Sequence, residues 1–298
     1  MRYEVTHTTR YVYAEPVTVC QNLAHLLPRV CPRQMWLSHE LAIHPEPASV
    51  LRRIDYFGNP MTLFSIQEPH RSLTVVSHGK VEVDAIERLD SGGGPAWEQV
   101  RDQLAADKSR ELVPLEFTLD SPLVRRTPEL AEFAGLFFMA GRPIVEAVKA
   151  TAEYIFREFT FDNTTTTIST PLEQVLRQRR GVCQDFSHLM IGAMRSVGLS
   201  ARYVSGYLMT QPPPGQSRLQ GADASHAWVG FYVQSLGWVD VDPTNNMWVS
   251  DQHIAIAWGR DFGDVSPLQG VILGGQQQGV SVAVDVVPMT SDAPASAT

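Results

Sequence analysis

Apolar and polar residues alternate along the first part of the chain. Tyr3, Val5 and His7 alternate with the polar residues Glu4 and Thr6. Short apolar runs follow, separated by turns rich in Pro, Gly and Asn. These runs occupy residues 37–43, 50–55, 61–67 and 72–83. Evenly spaced short strands without a helical period are typical of an antiparallel sandwich or barrel. We therefore expect an N-terminal antiparallel β domain over residues 1–90.

A Gly-rich segment at residues 91–95 (SGGGP) ends this pattern and predicts a domain boundary, because such a segment offers few side chains for packing. Beyond it, apolar residues recur with the 3.6-residue period of helices. The predicted helices occupy residues 97–105, 128–138, 142–159, 170–180 and 184–197. Thr170 and Pro171 predict a capping box with Pro at the first helical position, and Gly198 predicts the end of the last helix.

The period returns to two after these helices. The predicted strands occupy residues 201–208, 224–233 and 237–242. Helices followed by neighbouring strands, after an all-β region, predict an α+β fold. We expect a second domain over residues 91–290, which includes a helical connector, and a frayed tail of small and polar residues at 291–298.

Composition and charge exclude several classes of protein. The 298 residues are 44% hydrophobic and 19% charged, which excludes wholesale disorder. The net charge of −8 disfavours nucleic acid binding, which needs clustered Lys and Arg. The cluster Arg177, Arg179 and Arg180 instead suits a helix C-terminus. The sequence shows neither an apolar run of roughly 18 residues nor a signal peptide, so we expect no membrane partner and a cytoplasmic location.

The three cysteines are too few for a disulfide framework. Cys20 and Cys31 pair if their strands are adjacent, but two buried thiols fit a reducing compartment better. Cys183 differs because it stands at the start of a predicted helix. The helix dipole and the free N–H groups of the first turn stabilise a thiolate there. The same N–H groups can bind the oxyanion that forms when a thiolate attacks a carbonyl.

Two further residues complete a candidate catalytic set. His226 lies early in a predicted strand and can exchange a proton with the thiol. Asp242 ends the next strand, and a carboxylate bonded to the second imidazole nitrogen fixes the tautomer. A three-residue loop at 234–236 sets Val233 opposite Gly237. In that register His226 and Asp242 are diagonal neighbours on one face of the sheet, whereas a slip by one residue separates them.

Three segments carry a resemblance to a known family. Residues 181–185 (GVCQD), 225–228 (SHAW) and 237–244 (GWVDVDPT) resemble the three-part signature of the transglutaminase-like superfamily. Residues 202–208 (RYVSGYL) and 259–267 (GRDFGDVSP) resemble its bacterial branch, which also carries an N-terminal β domain. The resemblance implies a papain-like α+β core, in which the nucleophile opens a helix packed on an antiparallel sheet.

The resemblance also assigns roles to the candidate set. Cys183 matches the nucleophile, His226 the general base and acid, and Asp242 the orienting carboxylate. Asp240 is the competing carboxylate, but the family pattern places three residues between Trp238 and the acid, which selects Asp242.

Other polar residues near the motifs have structural explanations. Asp185 caps the helix of Cys183, and His188 is expected on the exposed side of that helix. A role in ion pairs and turns is the favoured expectation, with a place at the edge of the cleft as the alternative, for His253, Arg260, Asp261 and Asp264. The second oxyanion donor stays open between residues 163–167 and the backbone at Cys183. The sequence contains no metal-binding or nucleotide-binding motif, so we expect neither a metal nor a cofactor.

The candidate triad and the resemblance predict a cysteine enzyme that acts on a peptide or protein amide through a thioester acyl-enzyme. Hydrolysis, by a protease or amidase, is the leading interpretation because the sequence indicates no dedicated amine acceptor. Crosslinking of protein glutamine side chains is one alternative. A non-catalytic binding or scaffold module on the same fold is another. The sequence leaves the substrate, the oligomeric state and the role of the N-terminal domain open.

Overall fold

Two antiparallel sheets and a group of helices make up residues 1–85, 94–106, 112–210, 225–276 and 278–289, which the computed structural model describes. The strands are β1 (Arg2–Ala24), β2 (Gln34–His44), β3 (Ser49–Ile54), β4 (Pro60–Ile66), β5 (His70–Val83), β6 (Thr160–Phe161), β7 (Arg180–Gly181), β8 (Ala201–Leu208), β9 (Ser225–Val233), β10 (Gly237–Asp242), β11 (Met247–Trp248), β12 (His253–Gly259), β13 (Leu268–Gly274) and β14 (Gln278–Pro288). The helices are α1 (Trp97–Ala106), α2 (Leu112–Glu116), α3 (Pro128–Gly135), α4 (Ile144–Glu158), α5 (Leu172–Gln178), α6 (Cys183–Ser196) and α7 (Phe262–Val265). Residues 91–93 of the expected boundary and the expected tail at 291–298 lie outside the described residues.

The long strand β1 organises the first sheet. Its first half pairs with β5 on one side and β14 on the other, and its second half pairs with β4 and β13. Strands β2 and β3 extend the sheet beyond β5 and β4. Along β5 buried residues alternate with half-buried ones, as a sheet covered on one face requires. The expected N-terminal antiparallel β region is confirmed.

Two strands from the end of the chain belong to this first sheet, which differs from the expected grouping of residues 91–290. β13 and β14 both pair with β1. The physical reason is that a long central strand carries N–H and C=O groups on both edges, and each edge needs a partner. Alternation in the sequence predicts a strand but does not reveal its partner. Independent folding of two domains stays a prediction.

The period of 3.6 residues correctly places α1, α3, α4, α5 and α6, whereas the short helices α2 and α7 were not predicted. α6 begins at Cys183, so the cysteine opens a helix as predicted. α5 begins later than predicted, because the Thr170 hydroxyl accepts the Thr167 N–H (2.8 Å) and Pro171 takes the cap position without a side-chain bond. Among the described residues, no helix is both long and apolar enough to cross a membrane.

The second sheet has the strand order β11-β10-β9-β8-β12 and is antiparallel throughout. Val233 pairs with Gly237, so the predicted register of β9 and β10 is confirmed. Strands β8 and β12 are buried along almost their whole length. The sheet is therefore covered on both faces, and any polar side chain within it needs an internal partner.

Helix α6 packs closely against α3 and the second sheet. A Cβ atom at Gly192 would lie 2.9 Å from the Leu130 side chain, so this glycine permits the close approach. The hydrophobic cluster around α6 extends to Tyr3 and Val284 of the first sheet. The two sheets therefore share one hydrophobic core across the helices.

Side chains of the first sheet and its loops close the free edge of β12. The Gln34 amide accepts the Ala255 N–H (2.8 Å) and donates to the Ala255 carbonyl (2.7 Å). The Asn59 amide pairs in the same two-sided way with Trp258, at 3.0 and 2.8 Å. Each amide makes the pair of backbone hydrogen bonds that a residue of a neighbouring strand would make. Together they hold β12 against the first sheet.

Candidate active site

Cys183 is the first residue of α6 and is half-buried. The Asp185 carboxylate accepts the Val182 N–H (2.8 Å) and the Thr166 hydroxyl (2.7 Å), which fixes the entry to the helix. A Cβ atom at Gly181 would lie 2.7 Å from the Asp185 carboxylate, so only glycine fits two residues before Cys183. The capping role expected for Asp185 is confirmed, and burial raises the pKa of this carboxyl.

His226 and Asp242 meet on one face of the second sheet, as the register predicts. The Nε2 atom of His226 lies 2.7 Å from Oδ2 of Asp242. The Asp242 side chain is fully buried, and that of His226 nearly so. Since Nε2 holds its proton toward the carboxylate, Nδ1 is the ring nitrogen that can exchange a proton with Cys183.

The three groups shift one another's charge state. Burial alone lowers the pKa of His226, but the hydrogen bonds and charges of Asp242 and Cys183 outweigh it and raise that pKa to about 10. Burial likewise opposes ionisation of Asp242, yet hydrogen bonds from His226, His253 and Asn245 hold its pKa well below the ordinary value. The site thus favours an imidazolium between a carboxylate and a sulfur atom.

A turn after β10 fixes the other carboxylate oxygen. Oδ1 of Asp242 accepts the N–H groups of Thr244 (2.9 Å) and Asn245 (3.2 Å), and the Asn245 side chain donates to Oδ2 (2.7 Å). The Lys149 ammonium on α4 donates to the Asn246 carbonyl (2.6 Å), which braces the turn. Asp242 is therefore held on both oxygens.

His253 is the unexpected member of the site. Its Nε2 atom lies 3.3 Å from Oδ2 of Asp242, so two imidazoles share one carboxylate oxygen. The expected ion-pair and turn role of His253 named no partner, and the structure supplies Asp242 and the Ser250 turn. The sequence carried one signal for this contact: a glycine, Gly206, opposite His226 in β8. A Cβ atom there would lie 2.4 Å from the Trp228 ring, which packs against His253.

The donor atoms of His226, Asp242 and His253 all lie within 4.8 Å of one another, a spacing that a metal ion could use. The hydrogen bonds explain the cluster without one. Nδ1 of His253 accepts the Ser250 N–H (3.2 Å), so Nε2 carries the ring proton and donates it to Asp242. A protonated nitrogen is a hydrogen-bond donor and not a metal ligand.

Asp240, the competing carboxylate, faces a different group. Its Oδ1 atom lies 3.7 Å from the Arg202 guanidinium, and its Oδ2 accepts the Trp228 indole N–H (3.3 Å). Arg202 in turn lies between the rings of Trp238 and Trp258, at 4.1 and 4.0 Å from their centroids. Asp240 is therefore engaged in a buried stack beside the site.

The remaining candidates are structural. His188 was expected on the exposed side of α6, but it is buried because α6 is covered on every side. Its ring accepts the Phe262 N–H (3.0 Å). Burial lowers the pKa of His188 to about 4. Arg260 pairs with Asp264, and Asp261 caps α7, as expected of a turn with ion pairs. Thr166 ties the segment 163–167 to Asp185, while the second oxyanion donor stays open.

Comparisons with known proteins agree with this geometry. The family profile described as "Transglutaminase-like superfamily" matches residues 137–243, and "Bacterial transglutaminase-like N-terminal region" matches residues 3–82. An uncharacterized protein of Mycobacterium tuberculosis is 41% identical over 300 residues, which cover 98% of this chain and 94% of that protein. One of Mycobacterium leprae is 33% identical over 288 residues, which cover 96% and 98%.

A solved structure shares the whole fold. The crystal structure of a "Putative Cysteine Protease" from Cytophaga hutchinsonii matches with a TM-score of 0.75 at 18% identity, over 98% of this chain and 92% of that chain. At this identity the match shows a shared fold and nothing more. Together with the papain-like arrangement of α6 and the second sheet, the sequence matches establish the family. The chain belongs to the transglutaminase-like superfamily, among the proteins that carry the bacterial N-terminal region.

Proposed function

We propose that the chain is a cysteine-dependent acyl-transfer enzyme that hydrolyses a peptide or protein amide, with Cys183, His226 and Asp242 as its catalytic triad. The observation that supports the proposal most strongly is the 2.7 Å bond between His226 and Asp242, next to a cysteine at a helix N-terminus. A scaffold protein has no need to bring these three groups together.

The reaction follows from the charge states of the site. The Cys183 thiolate attacks the amide carbon, a C–S bond forms, and the carbonyl π electrons move to oxygen. In this proposal, N–H groups of the first turn of α6 stabilise the oxyanion. When it collapses, the C–N bond breaks and the His226 imidazolium gives its proton to the leaving nitrogen. The product is a thioester and a free amine or ammonia.

Water completes the cycle. Neutral His226 takes a proton from water, the hydroxide oxygen attacks the thioester carbon, and the C–S bond breaks to restore the thiolate. The same thioester reacts with a primary amine if one reaches it first, which would make the enzyme a crosslinking transglutaminase. We favour hydrolysis, because the sequence indicates no dedicated amine acceptor.

Alkylation by iodoacetamide tests the nucleophile. We expect Cys183 to react at pH 6 at a rate well above that of a free thiol, whose pKa is about 8.5. Cys20 and Cys31 serve as internal controls, since burial raises the pKa of both thiols. Labelling of Cys183 no faster than of these two would favour the scaffold alternative.

Mass spectrometry of peptide and glutamine-containing protein libraries identifies the reaction. Incubation with and without a primary amine separates hydrolysis, which adds water, from crosslinking, which adds the amine. The Cys183→Ala variant is the matched control and should leave every substrate unchanged. Amine adducts in excess of hydrolysis products would replace the protease or amidase assignment with the transglutaminase.

A further inference from the structure

We propose that His253 is a positioning residue that orients Asp242 toward His226, and that the first sheet holds His253 in place through Arg33 and Gln34. The kinetic part of this inference rests on the proposed function. The structural part, the protonation state of His253, does not.

The hydrogen-bond partners of His253 permit only one tautomer of its imidazole ring. Its side chain is fully buried, and its Nδ1 atom accepts the Ser250 N–H at 3.2 Å. The ring proton therefore lies on Nε2, which points at Oδ2 of Asp242. The Trp228 ring packs edge-on against the imidazole, with centroids 5.3 Å apart, and blocks rotation. His253 is thus a fixed donor.

A fixed donor at this position has a consequence for the triad. A carboxylate free to rotate could present either oxygen to His226 or turn away from it. Backbone donors on Oδ1, together with the Asn245 amide and His253 on Oδ2, set the Asp242 plane, and Oδ2 faces His226. This orientation keeps the proton of His226 on Nε2 and leaves Nδ1 for Cys183.

The first sheet holds the backbone on which His253 stands. The Arg33 guanidinium donates to the carbonyls of Ser250 (3.0 Å) and His253 (3.2 Å). Next to it, Gln34 pairs with both backbone groups of Ala255. Strand β12 lies at the edge of the second sheet, and its pairing with β8 is interrupted between Ala255 and Ala257. The contacts from Arg33 and Gln34 therefore fix a stretch of strand that β8 holds only in part.

Two substitutions at His253 separate positioning from simple packing. His253→Gln places an amide N–H near the position of Nε2, so it keeps a donor for Asp242. His253→Asn places an amide oxygen near the position of Nδ1, so it keeps the acceptor for Ser250. We expect the Asn variant to lose at least tenfold in the rate of Cys183 alkylation at pH 6, and the Gln variant to retain most of that rate.

The opposite order overturns the proposal. Asn retaining more reactivity than Gln would mean that His253 serves the Ser250 turn alone, and equal wild-type rates in both would remove any role. The rate of Cys183 alkylation at pH 10, where every accessible thiol is ionised, controls for access to the site. Positioning affects the rate at pH 6 far more than the rate at pH 10.

Nitrogen NMR of the wild-type imidazoles decides the structural part without any catalysis. We expect His253 to be protonated on Nε2 and unprotonated on Nδ1 at pH 7, and the reverse tautomer overturns the proposal. If wild-type Cys183 reacts as an ordinary thiol while the tautomer is as expected, the proposed function fails and the orientation of Asp242 by His253 stands. If both variants fail to fold, the NMR result on the wild-type protein still decides the structural part.

Gln34→Leu tests the contribution of the first sheet. Leucine fills a similar volume but leaves both backbone groups of Ala255 unpaired. Ser77→Ala is the matched control, since it removes the hydrogen bonds that the Ser77 hydroxyl makes with the Leu26 carbonyl and with His39 Nε2, without touching β12. We expect Gln34→Leu to slow alkylation of Cys183 at pH 6 at least threefold and Ser77→Ala to leave it unchanged. Equal rates in the two variants would remove the first sheet from the proposal.

Discussion

The two sheets differ in what they do with polar residues. The first sheet is largely exposed on one side: every residue of its edge strand β3 faces solvent. The second sheet is covered on both faces, yet it contains Asp242, His253 and Arg202. Burial of such groups is costly unless each has a partner. Asp242 and His253 are hydrogen-bonded to each other, and Arg202 forms an ion pair with Asp240 and lies between two tryptophan rings. Polar residues in a doubly covered sheet therefore identify the candidate site better than any single motif.

The cysteines show the same contrast. Cys20 lies in the first sheet, where burial raises the pKa of its thiol. Cys183 lies at the start of a helix, against a histidine whose pKa is raised to about 10. One environment suppresses the thiolate and the other supplies a counter-charge for it. The difference lies in position within the fold and not in the residue type.

The largest effect of any substitution is expected from Asp242→Asn. Comparison with Asp240→Asn shows which of the two carboxylates of β10 orients the histidine. The amide permits the wrong imidazole tautomer, a change that costs on the order of 10⁴ in rate in serine triads. A thiolate–imidazolium pair depends less on its third member, so we expect a loss of about 100-fold in turnover and in alkylation of Cys183 at pH 6. Asp240→Asn is the matched control on the same strand face. If it is the more damaging change, Asp240 is the orienting acid.

A core truncation in the first sheet should affect stability without affecting chemistry. Ile66 is fully buried in a hydrophobic cluster that belongs to this sheet. Ile66→Ala should cost about 2–5 kcal/mol of unfolding free energy, and Ile66→Val about 0.5–1.5 kcal/mol. Urea unfolding measures both losses. A fall in the pH 6 reactivity of Cys183 under conditions where the variants stay folded would show that the sheets are coupled more widely than through β12.

The buried stack beside the site should contribute a smaller amount. Arg202 lies between two tryptophan rings and pairs with Asp240, and lysine cannot reproduce this planar contact. We expect Arg202→Lys to lower the unfolding free energy by about 1–3 kcal/mol. Urea unfolding at pH 7 measures the change. An unchanged midpoint would mean that the stack adds nothing to stability.

The pH dependence of stability should be gradual, because it is spread over several pH units. Because folding raises the pKa of His226 from 6.5 to about 10, its contribution is complete below pH 6.5 and is lost as pH rises toward 10. The pKa of Asp242 is lowered, so its contribution is present above about pH 4 and is lost in acid. The stability difference between wild type and Asp242→Asn should therefore be largest from pH 4 to 6.5. Above that range it should shrink by at most about 1.4 kcal/mol per pH unit. A difference that grows with pH would contradict the raised pKa of His226.

Local patterns were sufficient to predict the elements around the proposed triad. Alternation in β9 and β10 and the three-residue loop between them gave the register, and the register placed His226 and Asp242 on one face. The apolar stripe of α6 and its capping residue Asp185 gave the helix that Cys183 opens. Each of these inferences concerns residues that are neighbours in sequence or on adjacent strands.

Long-range partners could not be predicted in the same way. His253 on β12 contacts Asp242 on β10 across β8 and β9, and the Trp228 ring, for which Gly206 leaves space, packs against His253. His188 was misplaced because α6 is packed on every side, which an amphipathic stripe does not reveal. Pairing of β13 and β14 with β1 depends on which sheet edge is free, and only the assembled fold determines that.

The pairing of β1 bears on how the protein is synthesised. The chain's first strand receives its partners on one side from β4 and β5, but those on the other side come from residues 268–288. During translation the N-terminal strand therefore leaves the ribosome long before its last partner exists. Until residues 268–288 have been synthesised, one edge of β1 is open to pairing with other chains, which is the circumstance in which nascent sheets aggregate. The protein should consequently depend more on chaperones while it is being made than its finished stability would indicate.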